Sequence, residues 1–265
     1  MRGLLLAWAL ITMTAVAAAQ AQAQAQAQEQ PERIQIGLSI DRLSITSDFS
    51  GADLTIFGAL DNIDPLVSRQ GRYDVIVVLE GPARAVQVRR KDRVLGMWIN
   101  TDSQTFVNVP ASYSVATTRN FQDIADPTTY RQLSLGSDNI HVQPLDADAP
   151  PATIAEFEAA LRDRKRATGL YNERVGGVHF LSQTLFRATV TLAPNVPVGT
   201  HRARAFLFKN SVFVAESAAP LAIYKAGFEQ RLFRAAHEYS LLYGLFAVAL
   251  AGLTGWVGSI VFRRE

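Results

Sequence analysis

The sequence predicts a mainly β fold: an immunoglobulin-like β-sandwich with a helical insertion, followed by an amphipathic and a transmembrane C-terminal helix. Three observations carry that expectation. Short stretches alternate apolar and polar residues with the period of two that a half-buried strand requires. Turn chemistry recurs between them. The apolar excess sits at the two ends of the chain, in Leu4–Ala19 and Leu241–Phe262. The 265 residues are 48% hydrophobic and 19% charged, with mean hydropathy +0.07, a balance too apolar for an ordinary soluble domain. With the ends set aside, about 200 residues remain, enough to bury one core.

At the N-terminus, Arg2, the run Leu4–Ile11 and then Ala17, Ala18 and Ala19 have the basic start, apolar middle and small-residue exit of a signal peptide over residues 1–21. Cleavage after Ala19 or Ala21 fits. An uncleaved anchor is the alternative, disfavoured because the apolar run is short for a span. The alternating Ala-Gln stretch within residues 22–32 lacks large apolar groups to offset its ordering entropy, and predicts a flexible low-complexity leader.

Residues 33–225 then read as a periplasmic sandwich. Ile34, Ile36, Leu38 and Ile40 alternate with polar positions, and the phase flips at Leu43 and Ile45, so the chain must bulge or change sheet near Asp41 and Arg42. Strands follow over 53–59, 73–79, 86–90, 94–99, 105–109 and 112–117, and the unbroken run Val75–Leu79 marks a central strand buried on both faces. Residues 119–148 read as loops. A helical insertion over about 153–168 starts at a capping box, Thr153 with Glu156. It shows the stripe Ile154, Phe157 and Leu161, stops at Gly169 and carries its cations, Arg162, Arg164, Lys165 and Arg166, where they complement the helix dipole. Strands resume over 185–192, 200–208, 212–215 and 221–224, with Pro194, Asn195, Pro197 and Gly199 as turn residues. Two tandem sandwiches are the weaker alternative, since no internal repeat is present.

Over residues 227–240, Phe228, Leu232, Ala235, Ala236 and Tyr239 share one helical face while Glu229, Arg231, Arg234, His237 and Glu238 share the other, an amphipathic juxtamembrane helix. Residues 241–262 carry no charge and as a helix measure about 33 Å, the thickness of a bilayer's hydrocarbon core. Arg263 and Arg264 follow, and positive charge on the cytoplasmic side places the tail 263–265 inside and the β domain outside. A buried core helix is the alternative, with little protein left to bury it. Ala247, Ala251, Gly255 and Ser259 recur every fourth residue, a small-residue stripe suited to close approach of another membrane helix.

The absence of cysteine excludes disulfides, thiolate metal sites, iron–sulfur clusters and cysteine nucleophiles. His141, His179, His201 and His237 share no ligand spacing, so each reads as a surface or hydrogen-bonded histidine and no metal or cofactor is expected. No catalytic motif is present. With 26 basic against 24 acidic residues, no global field marks a nucleic-acid binder. The densest candidate is a predicted hairpin tip bearing Arg89, Arg90, Lys91 and Arg93, with Trp98 on the returning strand. Arginine forks match carboxylate, sulfate and phosphate oxygens, so such a tip suits an anion or an acidic partner. A solvated basic turn guarding an edge strand, with Trp98 filling the core, is the competing reading.

The segments SITSDFSGADLTIFG, DVIVVLEGP, VRRKDRVLGMWIN and VPASYSVAT and the terminal anchor resemble a family of alphaproteobacterial transmembrane proteins of uncharacterised function, over nearly the whole mature chain. The resemblance implies an inner-membrane protein and, through a sulfite-exporter-like permease encoded beside such proteins, a polytopic transporter as partner. It carries no functional residues over. The expected function is a non-enzymatic single-span protein whose periplasmic domain binds or supports a membrane partner; the alternative is a membrane-anchored hydrolase or redox accessory.

Overall fold

The computed structural model describes residues 31–146, 149–226, 236–237 and 239–261. The expected signal peptide, the leader up to Gln30, most of the amphipathic stretch and the tail lie outside them. The described residues form three sheets. The first runs in the order β1 (Arg33–Leu38), β3 (Ala52–Asp61), β11 (Leu185–Leu192), β10 (Val178–Phe180). The second runs β2 (Arg42–Ile45), β13 (Val212–Lys225), β12 (Gly199–Lys209), β4 (Tyr73–Glu80), β7 (Tyr113–Thr117), β9 (Tyr171–Val175). The third joins β5 (Ala83–Val94), β6 (Met97–Pro110) and the short β8 (Gln143–Pro144). Pairing is antiparallel except for β13 with β2 and β7 with β9.

The phase flip in the first strand has a clear structural result. β1 pairs with β3 in the first sheet, and after the bend at Ser39–Asp41 the chain crosses to lie parallel to β13 in the second, Arg42 opposite Ala222. A one-residue change of phase moves every side chain to the other face, and crossing between sheets keeps the apolar set inward. Both sheets draw strands from the first and last thirds of the chain, so the β region is one interleaved body, not two tandem ones.

β4 explains why the middle sheet is central. It lies between β12 and β7, and every residue from Tyr73 to Leu79 is buried. Val75, Val77 and Leu79 face the first sheet, where they join Ile56, Phe186 and Val190. Ile76 and Val78 face the opposite way, with Phe206, Phe208 and Val115, into a second core. That core is closed by Phe106 and Val109 of β6, by Ile124 of α2 (Phe121–Ile124) and Tyr130 of α3 (Pro127–Leu133), and by Phe157 and Leu161 of α4 (Pro151–Ala167). α1 (Pro65–Arg69) is a single turn before β4, capped by Asp64 through the Leu66 N–H at 2.9 Å.

α4 begins two residues before the expected capping box. Pro150 is its N-cap and Pro151 its first residue, so Thr153 lies within the first turn and makes no cap bond. Two successive prolines preset the backbone for helix entry, so the helix starts before Thr153 and leaves it no cap position. Its end is as expected: Thr168 is the C-cap and Gly169 takes φ +72°, the left-handed geometry of a helix stop. α2, α3 and β8 occupy the stretch read as loops from sequence.

Glu32, one residue before the expected start of the domain, is tied to it: the Tyr73 hydroxyl and Lys209 Nζ each donate to its Oε1 at 2.6 Å. At the other end, α5 runs over Ser240–Val261, 22 residues without a charge. Across the described side chains no helix is long and apolar enough to cross a membrane; those of Leu242, Ile260 and Val261 lie outside that set.

Candidate functional site

The basic cluster sits on the long hairpin β5–β6, and the structure separates what sequence placed at one tip. The turn is Leu95–Gly96, with φ +52° and +84°, joining Val94 to Met97. Positive φ at both central residues is the two-residue turn whose twist matches a ribbon. The stretch read from sequence as one strand, 94–99, therefore contains this turn, and Arg89, Arg90, Lys91 and Arg93 line the arm behind it. Near the base, Val86, Val88, Phe106 and Val109 pack on the second core. Beyond Arg90 the ribbon is exposed, including the whole of Met97–Ser103.

Alternation along β5 splits the cations between two faces. Arg90 turns toward α4, where its Nη2 donates to Glu156 Oε2 at 2.7 Å and its guanidinium lies 5.1 Å from the Phe157 ring centre. Its charge is already matched, so Arg90 is a strut holding the arm to the helix. Arg89, Lys91 and Arg93 take the opposite face. Arg89 donates to Gln87 Oε1 through Nε at 3.1 Å and Nη2 at 2.7 Å, Arg93 Nε donates to the Gly96 carbonyl at 3.3 Å, and no bond of Lys91 is present among the described residues. Among the described residues none of these three is paired with an acid, so their charge is open to an incoming anion.

Trp98 is 69% exposed, which removes the core-filler reading. It stands directly opposite Arg93, while Val94 faces Met97 and Asp92 faces Ile99. A bulge follows: Arg90 pairs with Asp102 and Lys91 with Asn100, leaving Thr101 unpaired, its hydroxyl donating to Asp92 Oδ2 at 2.7 Å. The sequence reading missed the exposed apolar end of the ribbon, Val94, Leu95, Met97 and Ile99. The missing signal is turn chemistry, because Leu-Gly between apolar residues reads as a continuous strand where Asn-Gly would have marked a hairpin.

Three of the four cations of α4 clamp it to the body, while Arg164 is exposed. Arg162 pairs with Glu158 at 3.1 Å, Arg166 with Asp138 and the Ser137 hydroxyl, and Lys165 donates to the Ala111 carbonyl at 2.9 Å over the Tyr171 ring. Burial pulls the Lys165 ammonium below its ordinary value.

Two further places bring polar groups together. Ser112 and His201 are buried neighbours, Oγ to Nε2 3.2 Å, 89 residues apart in sequence. His201 Nδ1 lies 3.2 Å from the Gly199 carbonyl, so it donates there and Nε2 accepts from Ser112. The imidazole is completely buried, and burial holds it below the ordinary histidine value. A serine that spends its proton on a sealed imidazole with no substrate path is a structural bond. A cleft of about 350 Å³, lined by Ser68, Tyr73, Asp74, Arg119, Phe180 and Gln183, has its charge cancelled at its floor. Buried Asp74 accepts from Thr118 Oγ1 at 2.7 Å and from Arg119 through both Nε and Nη2, and that bond raises the Arg119 guanidinium above its ordinary value. Among the described residues no group of three or more His, Asp or Glu stands where a metal ion could be held.

The small residues Ala247, Ala251, Gly255 and Ser259 fall at successive fourth positions of α5, all exposed. So are Leu245, Phe246, Leu250, Leu253 and Trp256 around the rest of its circumference.

Two solved bacterial domains show loose likeness. One is the N-terminal domain of the Streptococcus gordonii adhesin Sgo0707, 6% identical, covering 74% of this chain and 33% of that one at a TM-score of 0.24. The other is the C-terminal domain of the Streptococcus pyogenes antigen I/II-family protein AspA, 8% identical, covering 73% and 53% at a TM-score of 0.24. The chain spans about a third and about half of those structures, and at such scores neither bears on fold or function here. No curated protein matches. A family model described as "Putative transmembrane protein (Alph_Pro_TM)" matches residues 33–264.

Proposed function

The chain belongs to that alphaproteobacterial transmembrane family, and from this membership we propose that it is a single-span inner-membrane protein, its β domain periplasmic and its C-terminus cytoplasmic. The observation that carries the reading is α5. A 22-residue helix without charge, apolar on every side and exposed along its described side chains, is suited to lipid and to little else. As a helix it measures about 33 Å, and Arg263 and Arg264 beyond it favour a cytoplasmic end.

The β domain is read as an immunoglobulin-like sandwich. The order β1-β3-β11-β10 corresponds to A-B-E-D of that fold and β4-β12-β13 to C-F-G, with the segment from β5 to β9 inserted between C and D. Such a scaffold is a rigid holder for loops, and here the element it holds outward is the β5–β6 hairpin. Its task is recognition, not catalysis. Arg89, Lys91 and Arg93 offer charge without an acid beside them among the described residues, a face suited to an acidic or anionic group on a membrane partner. A polytopic transporter of the sulfite-exporter kind is the protein partner that family resemblance suggests.

Affinity purification of the full chain from native membranes in mild detergent tests this. A polytopic protein should accompany it in stoichiometric amount, and the Arg89→Gln, Lys91→Gln, Arg93→Gln variant should release that protein at lower salt. The triple variant should melt within about 0.5 kcal/mol of the parent, because exposed charges contribute little to stability. Recovery of the chain alone, with parent and variant alike, would contradict the reading.

A further inference from the structure

The cations leave the end of the hairpin unexplained, because its last residues are apolar and bare. From Arg90, the last side chain held by the body, five residues of strand carry the turn about 17 Å outward. At that end Leu95 is 96% exposed, Trp98 69%, Met97 65%, and Val94 and Ile99 42% each. Leu95 also takes φ +52°, a conformation where asparagine or glycine would fit with less strain. A turn that places a leucine there gives up local stability to present an apolar apex.

The distribution of these groups identifies what they meet. A protein surface covers one face of a ribbon. This ribbon is apolar on both: Trp98 lies on the face of Lys91 and Arg93, Val94, Met97 and Ile99 on the other, and Leu95 caps the end. A medium that closes around the tip satisfies both faces together. Immediately behind the apex stand Lys91 and Arg93, with Trp98 beside Arg93. Apolar apex, then aromatic and cation at one level, then a second cation behind them follows the passage from acyl chains through the interface to the phosphates of a bilayer. Asp92, between the two cations, turns to the other face and is held by Thr101.

We propose that the tip of the β5–β6 hairpin inserts into the interfacial layer of a bilayer containing anionic lipid, Leu95, Met97 and Trp98 entering beneath the headgroups while Arg93 and Lys91, reaching back from the apex, meet lipid phosphates. The proposal rests on the membrane placement above, takes Lys91 and Arg93 to lipid and leaves Arg89, farther back on the arm, for an acidic group on a partner; it adds a second membrane contact, which would hold the domain at a fixed attitude to the surface.

The full chain carries three tryptophans, Trp8, Trp98 and Trp256, so single-tryptophan variants test the two contacts separately. Trp8→Phe with Trp256→Phe leaves Trp98 as reporter; Trp8→Phe with Trp98→Phe leaves Trp256. Both are reconstituted in phosphatidylcholine vesicles with and without phosphatidylglycerol, and quenching by brominated phosphatidylcholine is compared with quenching by aqueous acrylamide. Trp98 should shift to the blue and lose emission to brominated lipid, more strongly with phosphatidylglycerol present. Adding Leu95→Asp and Met97→Asp should return it to water while the domain melts unchanged. Trp98 emission like that of water-exposed indole in every vesicle overturns the proposal. So does Trp98 shielded from acrylamide yet untouched by brominated lipid, which would mean a protein occupant such as a second copy. Trp256 quenched beside an unquenched Trp98 refutes the tip alone, whereas Trp256 unquenched refutes the span.

Discussion

Protonating His201 would place a positive charge in a site without solvent, with no carboxylate hydrogen-bonded to it, and would break the acceptor bond from Ser112. Its folded pKa lies below the ordinary value of 6.5, so the unfolded chain binds the proton more readily. The stability it contributes is complete above that value and is lost as the pH falls through 6.5 and down through the folded pKa. Glu80 works in the opposite sense: burial raises it above 4.5, so its contribution is present in acid and fades as pH rises. Thermal melts between pH 7.5 and 5.5 should therefore show the parent losing stability toward acid, with a shallower loss in His201→Gln. Parallel slopes would remove His201 as the cause. Gly58 is decided by space alone. It pairs with Phe186 across the strands, and a Cβ there would meet the ring at 2.2 Å and the Gln35 carbonyl at 2.7 Å. Gly58→Ala should cost about 1–3 kcal/mol through forced repacking, read as a lowered melting temperature. Neither role was legible in sequence: the partners of His201 and Gly58 lie 89 and 128 positions away, and local pattern says nothing of such pairs.

At the scale of elements, legibility followed whether the signal is local. The double-sided run Val75–Leu79, the phase flip near Asp41 and Arg42 and the Gly169 stop are read from neighbouring residues, and each has its expected consequence in the fold. The hairpin was half legible, its strands but not its turn, since strand propensity runs straight through Val94-Leu95-Gly96-Met97. α2 and α3 escaped because one or two turns carry too little periodicity, and they are held by tertiary burial of Ile124 and Tyr130. For α5, the stripe Ala247, Ala251, Gly255 and Ser259 belongs to the backbone as well as to the composition, since all four share one helical face. Replacing Ala251 and Gly255 together with Leu should weaken cross-linking between neighbouring helices in native membranes, because bulk there prevents close approach. Unchanged cross-linking would reduce the stripe to ordinary membrane-helix composition.

For the whole molecule, the arrangement is a sheet pair closed on its second face by an insertion, with a charged arm projecting from one part and an apolar helix following the last strand. The mainly β character was legible because strand alternation and turns are dense, whereas the three-layer build was not: it depends on β4 and β12 burying both faces, and only β4 announces that in its sequence. The proposed topology puts the β domain and the tail on opposite sides of a bilayer. Alkaline phosphatase, active only after export, joined after Ala226 and separately after Glu265 in cells of the host, measures this directly. Activity from the first fusion and none from the second is the predicted result; activity from the Glu265 fusion, or none from the Ala226 fusion at equal expression, would contradict it.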